Sequence, residues 1–154
     1  MTDAEFLERL AAIVGAAHVL TQEDDKAGYL VEPRDLYRGR ALAVVRPGAT
    51  SEVAAVLALC EATRRPVVPQ GGNTGLVGGQ IPDGTGRAIL LSLARMTRVR
   101  EVDPTSNTMT SEAGATRASA QDAAAGADRL YPLSLASEGS CTVGGNLSTN
   151  AGGT

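Results

Sequence analysis

Residues 69–79 read Pro-Gln-Gly-Gly-Asn-Thr-Gly-Leu-Val-Gly-Gly, so Gly71, Gly72, Gly75, Gly78 and Gly79 crowd into one short stretch. Glycine tolerates positive φ and has no Cβ, so backbone N–H groups can converge there on a single point. A concave row of N–H dipoles is an anion site, and its usual guest is a phosphate or pyrophosphate. Asn73 and Thr74 add side-chain donors. The bland alternative is a flexible linker, but linkers of that kind are Gly/Ser repeats. This run mixes in Pro, Asn, Thr, Leu and Val and stands between two apolar runs, residues 66–68 and 88–91. From these residues alone, a diphosphate loop and a plain structural loop both stay open.

The common nucleotide fingerprints fail on spacing. The glycines never fall at i, i+2 and i+5, and the turn chemistry of residues 80–86 follows where a helix would have to start. A P-loop needs Gly-Lys-Ser/Thr, and the only lysine is Lys26. A second glycine-rich segment, residues 139–153, is small, polar and almost uncharged. It reads either as a frayed end or as the second half of a bipartite site.

The two segments, residues 69–79 and 132–153, resemble the FAD-binding domain of the p-cresol methylhydroxylase/vanillyl-alcohol oxidase flavoproteins, in the D-lactate and D-2-hydroxyglutarate dehydrogenase branch. Residues 43–53 match that family's opening strand and helix, and the resemblance covers about residues 20–154 in the family's order and spacing. It implies an α+β fold: a small parallel βαβ subdomain, then a mixed or antiparallel one, incomplete at the C-terminus. Residues 1–40 would form an N-terminal helix and leader, and residues 41–154 the N-terminal portion of the FAD-binding domain.

The resemblance also implies roles. Pro69, Gly71, Gly72, Asn73, Thr74, Gly75 and Gly78 would wrap the FAD pyrophosphate. Pro132, Gly139, Ser140, Thr142, Gly145, Asn146, Thr149, Asn150 and Gly152 would line the flavin and its ribityl chain. Asn73 stands where some covalent relatives carry a tethering His, and the sole histidine, His18, lies outside both segments, so the implied attachment is non-covalent. The implied reaction is oxidation of a D-2-hydroxy acid by hydride transfer to flavin. The electron acceptor would be a quinone, a cytochrome or an electron-transfer flavoprotein. The family's catalytic and metal-binding residues would lie beyond Thr154, so the chain reads as the N-terminal part of a larger enzyme. A non-catalytic diphosphate-binding module and a structural protein with glycine turns remain the alternatives.

Composition bounds the rest. With 154 residues, 43% hydrophobic and 20% charged, the chain has the profile of one globular domain. A net charge of −3 and 3% aromatic residues argue against a nucleic-acid surface. Cys60 and Cys141 do not make a disulfide framework, and one histidine without clustered cysteines excludes an ordinary zinc site. No stretch is apolar enough to span a membrane, and the N-terminus lacks the basic and apolar regions of a secretory signal. The default expectation is cytoplasmic.

Periodicity and punctuation supply the elements. Thr2 and Glu5 form a capping box ahead of Phe6, Leu7, Leu10, Ile13 and Val14, which predicts a helix over 3–14. Residues 21–40 are polar and read as a loop crossing the surface. Residues 41–46 predict a buried strand. Thr50 or Ser51 would cap a helix to about 63, with Val53, Val56, Leu57 and Cys60 on its apolar face. Residues 67–69 and 88–93 predict strands, residues 99–103 and 108–112 a hairpin, and Thr116 caps a helix to about 126. The strand–helix–strand order predicts a parallel pair.

Overall fold

Thr2 and Glu5 close their capping box at the start of the first helix in the computed structural model, which describes residues 1–153. The Glu5 N–H donates to the Thr2 hydroxyl at 3.3 Å, and the Thr2 N–H donates to the Glu5 carboxylate at 2.8 Å. Two N–H groups that no helical carbonyl can reach are thereby satisfied. The element order is α1 (Asp3–Val14), β1 (Val19–Leu20), α2 (Glu23–Lys26), β2 (Ala43–Val45), α3 (Thr50–Thr63), β3 (Val67–Gln70), β4 (Ile89–Ser92), β5 (Val99–Asp103), β6 (Thr108–Ser111), α4 (Arg117–Gly126) and α5 (Val143–Ser148). This is an α+β fold.

The first sheet has strand order β1-β2-β4-β3. Strands β2 and β3 both run parallel to β4, and β1 pairs antiparallel with β2. The predicted β2–α3–β3 unit is therefore parallel, but its two strands are not neighbours. β4 lies between them, placed there by a pairing of distant residues that local sequence does not encode.

Side chains alternate across the sheet. Ala43, Val45, Ile89 and Leu91 join Phe6, Leu10, Val14, Val56 and Cys60 in one buried cluster. Val44 and Leu90 point the other way, into a smaller cluster with Ala41, packed by Leu20, Tyr29 and Leu30. Both faces are covered, which is why these strands read as continuous apolar runs rather than alternating ones. Each fully buried Ile or Leu here contributes roughly 1.5–3 kcal/mol.

That second cluster corrects the reading of residues 21–40 as a surface loop. The segment contains α2 and a short 3-10 turn at 27–29, and it buries Lys26 and Glu32. Lys26 Nζ donates to the Ala41 carbonyl at 2.9 Å and to Glu23 at 2.8 Å. The Glu32 carboxylate accepts the N–H groups of Arg34 at 2.8 Å and Leu36 at 2.6 Å. Buried charges of this kind need such partners, and their polar character in the sequence conceals that they lie inside.

Two details of α3 also differ. Its N-cap is Ala49, which has no side-chain bond. The first turn is closed instead by the Glu52 carboxylate, which accepts the Gly48 N–H at 2.7 Å. On the apolar face Val56 and Cys60 are buried, whereas Leu57 is exposed. Burial raises the pKa of the Cys60 thiol, as expected for an inert packed cysteine.

The second subdomain is the β5–β6 hairpin with α4 packed against β5 and Met96, Ala115, Ala120 and Ala124 buried. Thr116 caps α4 by accepting the Ser119 N–H at 3.1 Å. At the hairpin's open end Glu112 is buried, and its carboxylate accepts the Arg98 N–H, the Arg98 guanidinium and the Arg100 guanidinium at 2.9 to 3.2 Å. The Arg98 backbone bond leads, followed by its side chain, and against the opposing effect of burial they hold the Glu112 pKa down at about 2. A carboxylate with a depressed folded pKa stabilises the fold above its unfolded value, near 4.5, and loses that contribution as pH falls toward 2. Urea midpoints measured from pH 5 to pH 2 should therefore fall less steeply in Glu112→Gln than in the wild type. Parallel slopes would show that Glu112 does not carry this sensitivity.

Candidate functional site

The chain leaves the C-terminal end of the edge strand β3 directly into residues 71–79. A proline in the middle of β3, Pro69, is compatible with an edge position because an edge strand leaves half its N–H groups unpaired. In parallel sheets the carboxyl ends of the strands are where ligands bind. The loop is half-buried at residues 71–75 and exposed at Leu76, Val77 and Gly79. Asn73 and Gly78 adopt positive φ, 54° and 80°, which turns successive peptide planes. Within the described residues, none of the backbone N–H groups from Gly72 to Gln80 donates a hydrogen bond. A run of free donors in a curved, partly covered loop has the chemistry of an anion cradle.

The second segment meets this loop at one place. A Cβ on Gly71 would fall on the Thr142 hydroxyl, and one on Gly72 on the Ser140 carbonyl oxygen. Neither glycine has a positive φ, so it is close approach that requires glycine there. The second segment is ordered rather than frayed. Residues 143–148 form α5, capped by Thr142, whose hydroxyl accepts the Gly145 N–H at 3.2 Å. Val143 and Gly144 donate their N–H groups to Ala115 and Ala113, which fastens the segment in front of α4. A Cβ on Gly144 would press into Ala113.

Its side chains divide into two sets. Thr142 and Asn146 face inward: the first caps α5, and the second, buried, donates to the Cys141 Sγ at 3.6 Å. Gly139, Ser140, Thr149, Asn150 and Gly152 are exposed, and Gly145 is half-buried. The Thr149 hydroxyl donates back to the Gly145 carbonyl at 2.9 Å. Pro132 is exposed in a stretch held from α4, where Arg117, fully buried, donates to the Leu133 carbonyl and pairs with Glu138. Sequence reading did not anticipate Arg117 as an organiser, since an arginine at the first position of a helix carries no signal of burial.

The loop's other neighbours come from the leader. The Arg34 guanidinium donates to the Leu76 carbonyl, and the Tyr37 ring packs on Gly78, where a Cβ would stand 2.8 Å from it. Arg38 pairs with Asp35 at 2.6 Å and does not touch the loop. Gln70 and Gln80, one on each side of the glycine run, also bond into it, and sequence reading missed them. The available signal was a polar side chain closing an apolar strand. Among the described residues no cluster of His, Cys, Asp or Glu is placed to hold a metal, and no helix is long and apolar enough to cross a membrane.

Residues 41–154 match the FAD binding domain family. A probable D-2-hydroxyglutarate dehydrogenase of mitochondria from Oryza sativa subsp. indica is 36% identical over 142 residues, covering 92% of this chain and 25% of the relative. A D-2-hydroxyglutarate dehydrogenase from Xanthomonas citri pv. viticola is 35% identical over 153 residues, covering 99% of this chain and 32% of the relative. The chain thus spans only about a quarter to a third of such relatives. Among solved structures, an alkyldihydroxyacetonephosphate synthase superposes with a TM-score of 0.90 at 20% identity, over 99% of this chain and 30% of that one. A p-cresol methylhydroxylase with substrate bound superposes at 0.68 and 20% identity, over 81% and 25%; these likenesses show the shared fold.

The rice relative and one from Arabidopsis thaliana are named as mitochondrial enzymes, which overturns the cytoplasmic expectation. That expectation rested on a missing secretory signal, and organelle import reads a different, amphipathic and Arg-rich leader. A free-donor glycine loop at the end of a parallel strand, a second glycine segment closed onto it, and a family match over residues 41–154 agree, and the chain belongs to the FAD binding domain family.

Proposed function

We propose that this chain is the N-terminal, FAD-holding part of a flavoprotein dehydrogenase that oxidises a D-2-hydroxy acid such as D-lactate or D-2-hydroxyglutarate. The single observation that carries the reading is the set of unspent N–H groups from Gly72 to Gln80. In this proposal Gly71, Gly72, Asn73, Thr74, Gly75 and Gly78, entered from Pro69, receive the diphosphate. Pro132, Gly139, Ser140, Thr142, Gly145, Asn146, Thr149, Asn150 and Gly152 form the flavin side. Thr142 and Asn146 act there by shaping α5, given their inward bonds. Residues 41–154 are the N-terminal portion of the cofactor domain, preceded by the leader of residues 1–40.

Bound flavin would supply the hydride acceptor, and the protein supplies position and electrostatics. The free N–H dipoles hold the negative charge of the diphosphate, and Arg34, on the loop's outer rim, adds a cation nearby. Curated relatives named for D-2-hydroxyglutarate support the substrate class. A quinone, a cytochrome or an electron-transfer flavoprotein would take the electrons onward. Attachment is non-covalent in this reading: Asn73 offers no nucleophile, and Cys141 is buried against Asn146.

Three outcomes are expected. Gly72→Val should remain soluble, because the loop lies outside the sheet core, yet lose FAD, because its side chain would drive Ser140 off the loop. Copurification of the variant with a full complement of FAD would remove the loop from the site. Acid precipitation of the holoprotein should release all flavin to the supernatant; yellow pellets would mean a covalent link, with Cys141 the first residue to test. Residues 1–154 expressed alone should bind FAD weakly and reduce a dye with D-lactate or D-2-hydroxyglutarate no faster than free FAD does. Catalysis needs a positioned base and carboxylate clamp, and adding the C-terminal portion should restore turnover. Activity from residues 1–154 alone would show that the reacting groups lie within them.

A further inference from the structure

The glycine loop makes almost no backbone hydrogen bonds of its own, so something else must give it a shape. Three side-chain amides do so. Asn73, held at positive φ, donates Nδ2 to the Val31 carbonyl at 2.9 Å and to the Gly28 carbonyl at 3.3 Å, both in the leader. Gln80 donates Nε2 to the Gly75 carbonyl at 2.7 Å and to Asn73 Oδ1 at 3.3 Å, bridging the two ends of the loop. Gln70, 2% exposed, donates to the Tyr29 carbonyl at 2.9 Å and to the Gln80 carbonyl at 3.2 Å. These bonds close a circuit: leader to Asn73, Asn73 to Gln80, Gln80 to Gln70, and Gln70 back to the leader.

We propose that Gln80, acting with Asn73 and Gln70, is a positioning residue that holds the diphosphate loop open in its binding shape before any ligand arrives, using the leader segment 28–31 as its anchor. The proposal rests on the FAD reading above and deepens it: a stretch that family resemblance leaves outside the site becomes part of its scaffold. The physical reason is pre-organisation. The amides take carbonyl groups as partners and consume none of the loop's N–H groups, so the donors stay free while the backbone that carries them is fixed. A loop ordered in advance does not lose that conformational freedom on binding. The Asn73 side chain is thus spent inward on the leader rather than aimed at a ligand.

The test compares wild type with Gln80→Ala and the isosteric Gln80→Glu, which keeps the shape but cannot donate to the Gly75 carbonyl. Three quantities are read: FAD affinity by quenching of flavin fluorescence, thermal unfolding without FAD, and amide hydrogen exchange of the ligand-free protein. Both variants should bind FAD about tenfold more weakly, the factor expected for one well-made hydrogen bond. Exchange should accelerate at the hydrogen-bonded amides on either side of the loop, Leu30 and Ile81, while the β2 and β4 amides keep their protection. Asn73→Ala combined with Gln80→Ala should weaken binding by less than the product of the two single effects, since both break one circuit. A purely structural role would lower the melting point and leave the affinity of the folded protein unchanged, and that result would overturn the proposal. So would independent, multiplying effects of the two substitutions, or wild-type affinity in Gln80→Glu. If wild type binds no FAD while Gln80→Ala still accelerates exchange at Leu30 and Ile81, the cofactor reading falls and the amide circuit stands.

Discussion

Gly72 approaches the Ser140 carbonyl so closely that no side chain can stand between them. The rest of the site depends on that contact. It joins a loop hung from the edge strand β3 to a segment fastened in front of α4, and so brings the two subdomains to one place. The joint needs small residues on one side, Gly71 and Gly72, and a rigid backbone on the other. Rigidity comes from α5, whose Thr142 cap and whose backbone bonds to Ala113 and Ala115 fix the Ser140–Thr142 corner. A Cβ at Gly144 would meet Ala113, so the corner itself rests on a second close approach.

On the sheet side, the loop stays free because its support comes from elsewhere. Most loops settle their N–H groups on their own carbonyls or on water. Here amide side chains take the carbonyls, Arg34 takes that of Leu76, and Tyr37 covers Gly78. The leader is consequently not a tether. Its 27–31 stretch covers one face of β2 and β4 through Tyr29 and Leu30 and at the same time carries the carbonyls that Asn73 and Gln70 hold. A single segment therefore serves both core and site, and a change that unseats it would disturb both.

Two alkyldihydroxyacetonephosphate synthase structures are 20% identical to this chain and superpose over 99% of it. What survives at that distance is the course of the backbone. The chemistry of a reacting substrate is not contained in that frame, and folds of this generality host many reactions. The curated relatives, at 35 and 36% identity, are the ones named for D-2-hydroxyglutarate.

Local signals were legible without coordinates. The Thr2–Glu5 box, the Thr116 cap, the turn between residues 103 and 108 and the apolar spacing of α1 each act within a few residues, so the sequence carries them whole. The glycine loop itself was legible by composition. Pairing between distant residues was not. β4 sits between β2 and β3 because Ile89–Ser92 pairs on both sides, and nothing local distinguishes that order from its alternative. The polar leader hid its burial because Lys26 and Glu32 are satisfied by the Ala41 carbonyl and the Arg34 and Leu36 N–H groups. Leu57 sits on the helical stripe yet stays exposed, and Thr142 and Asn146 turn inward. Residue types and spacing therefore determined which groups this protein can offer. Tertiary structure decided which of them remain free, because a hydrogen-bond donor is available only if no distant partner has already taken it.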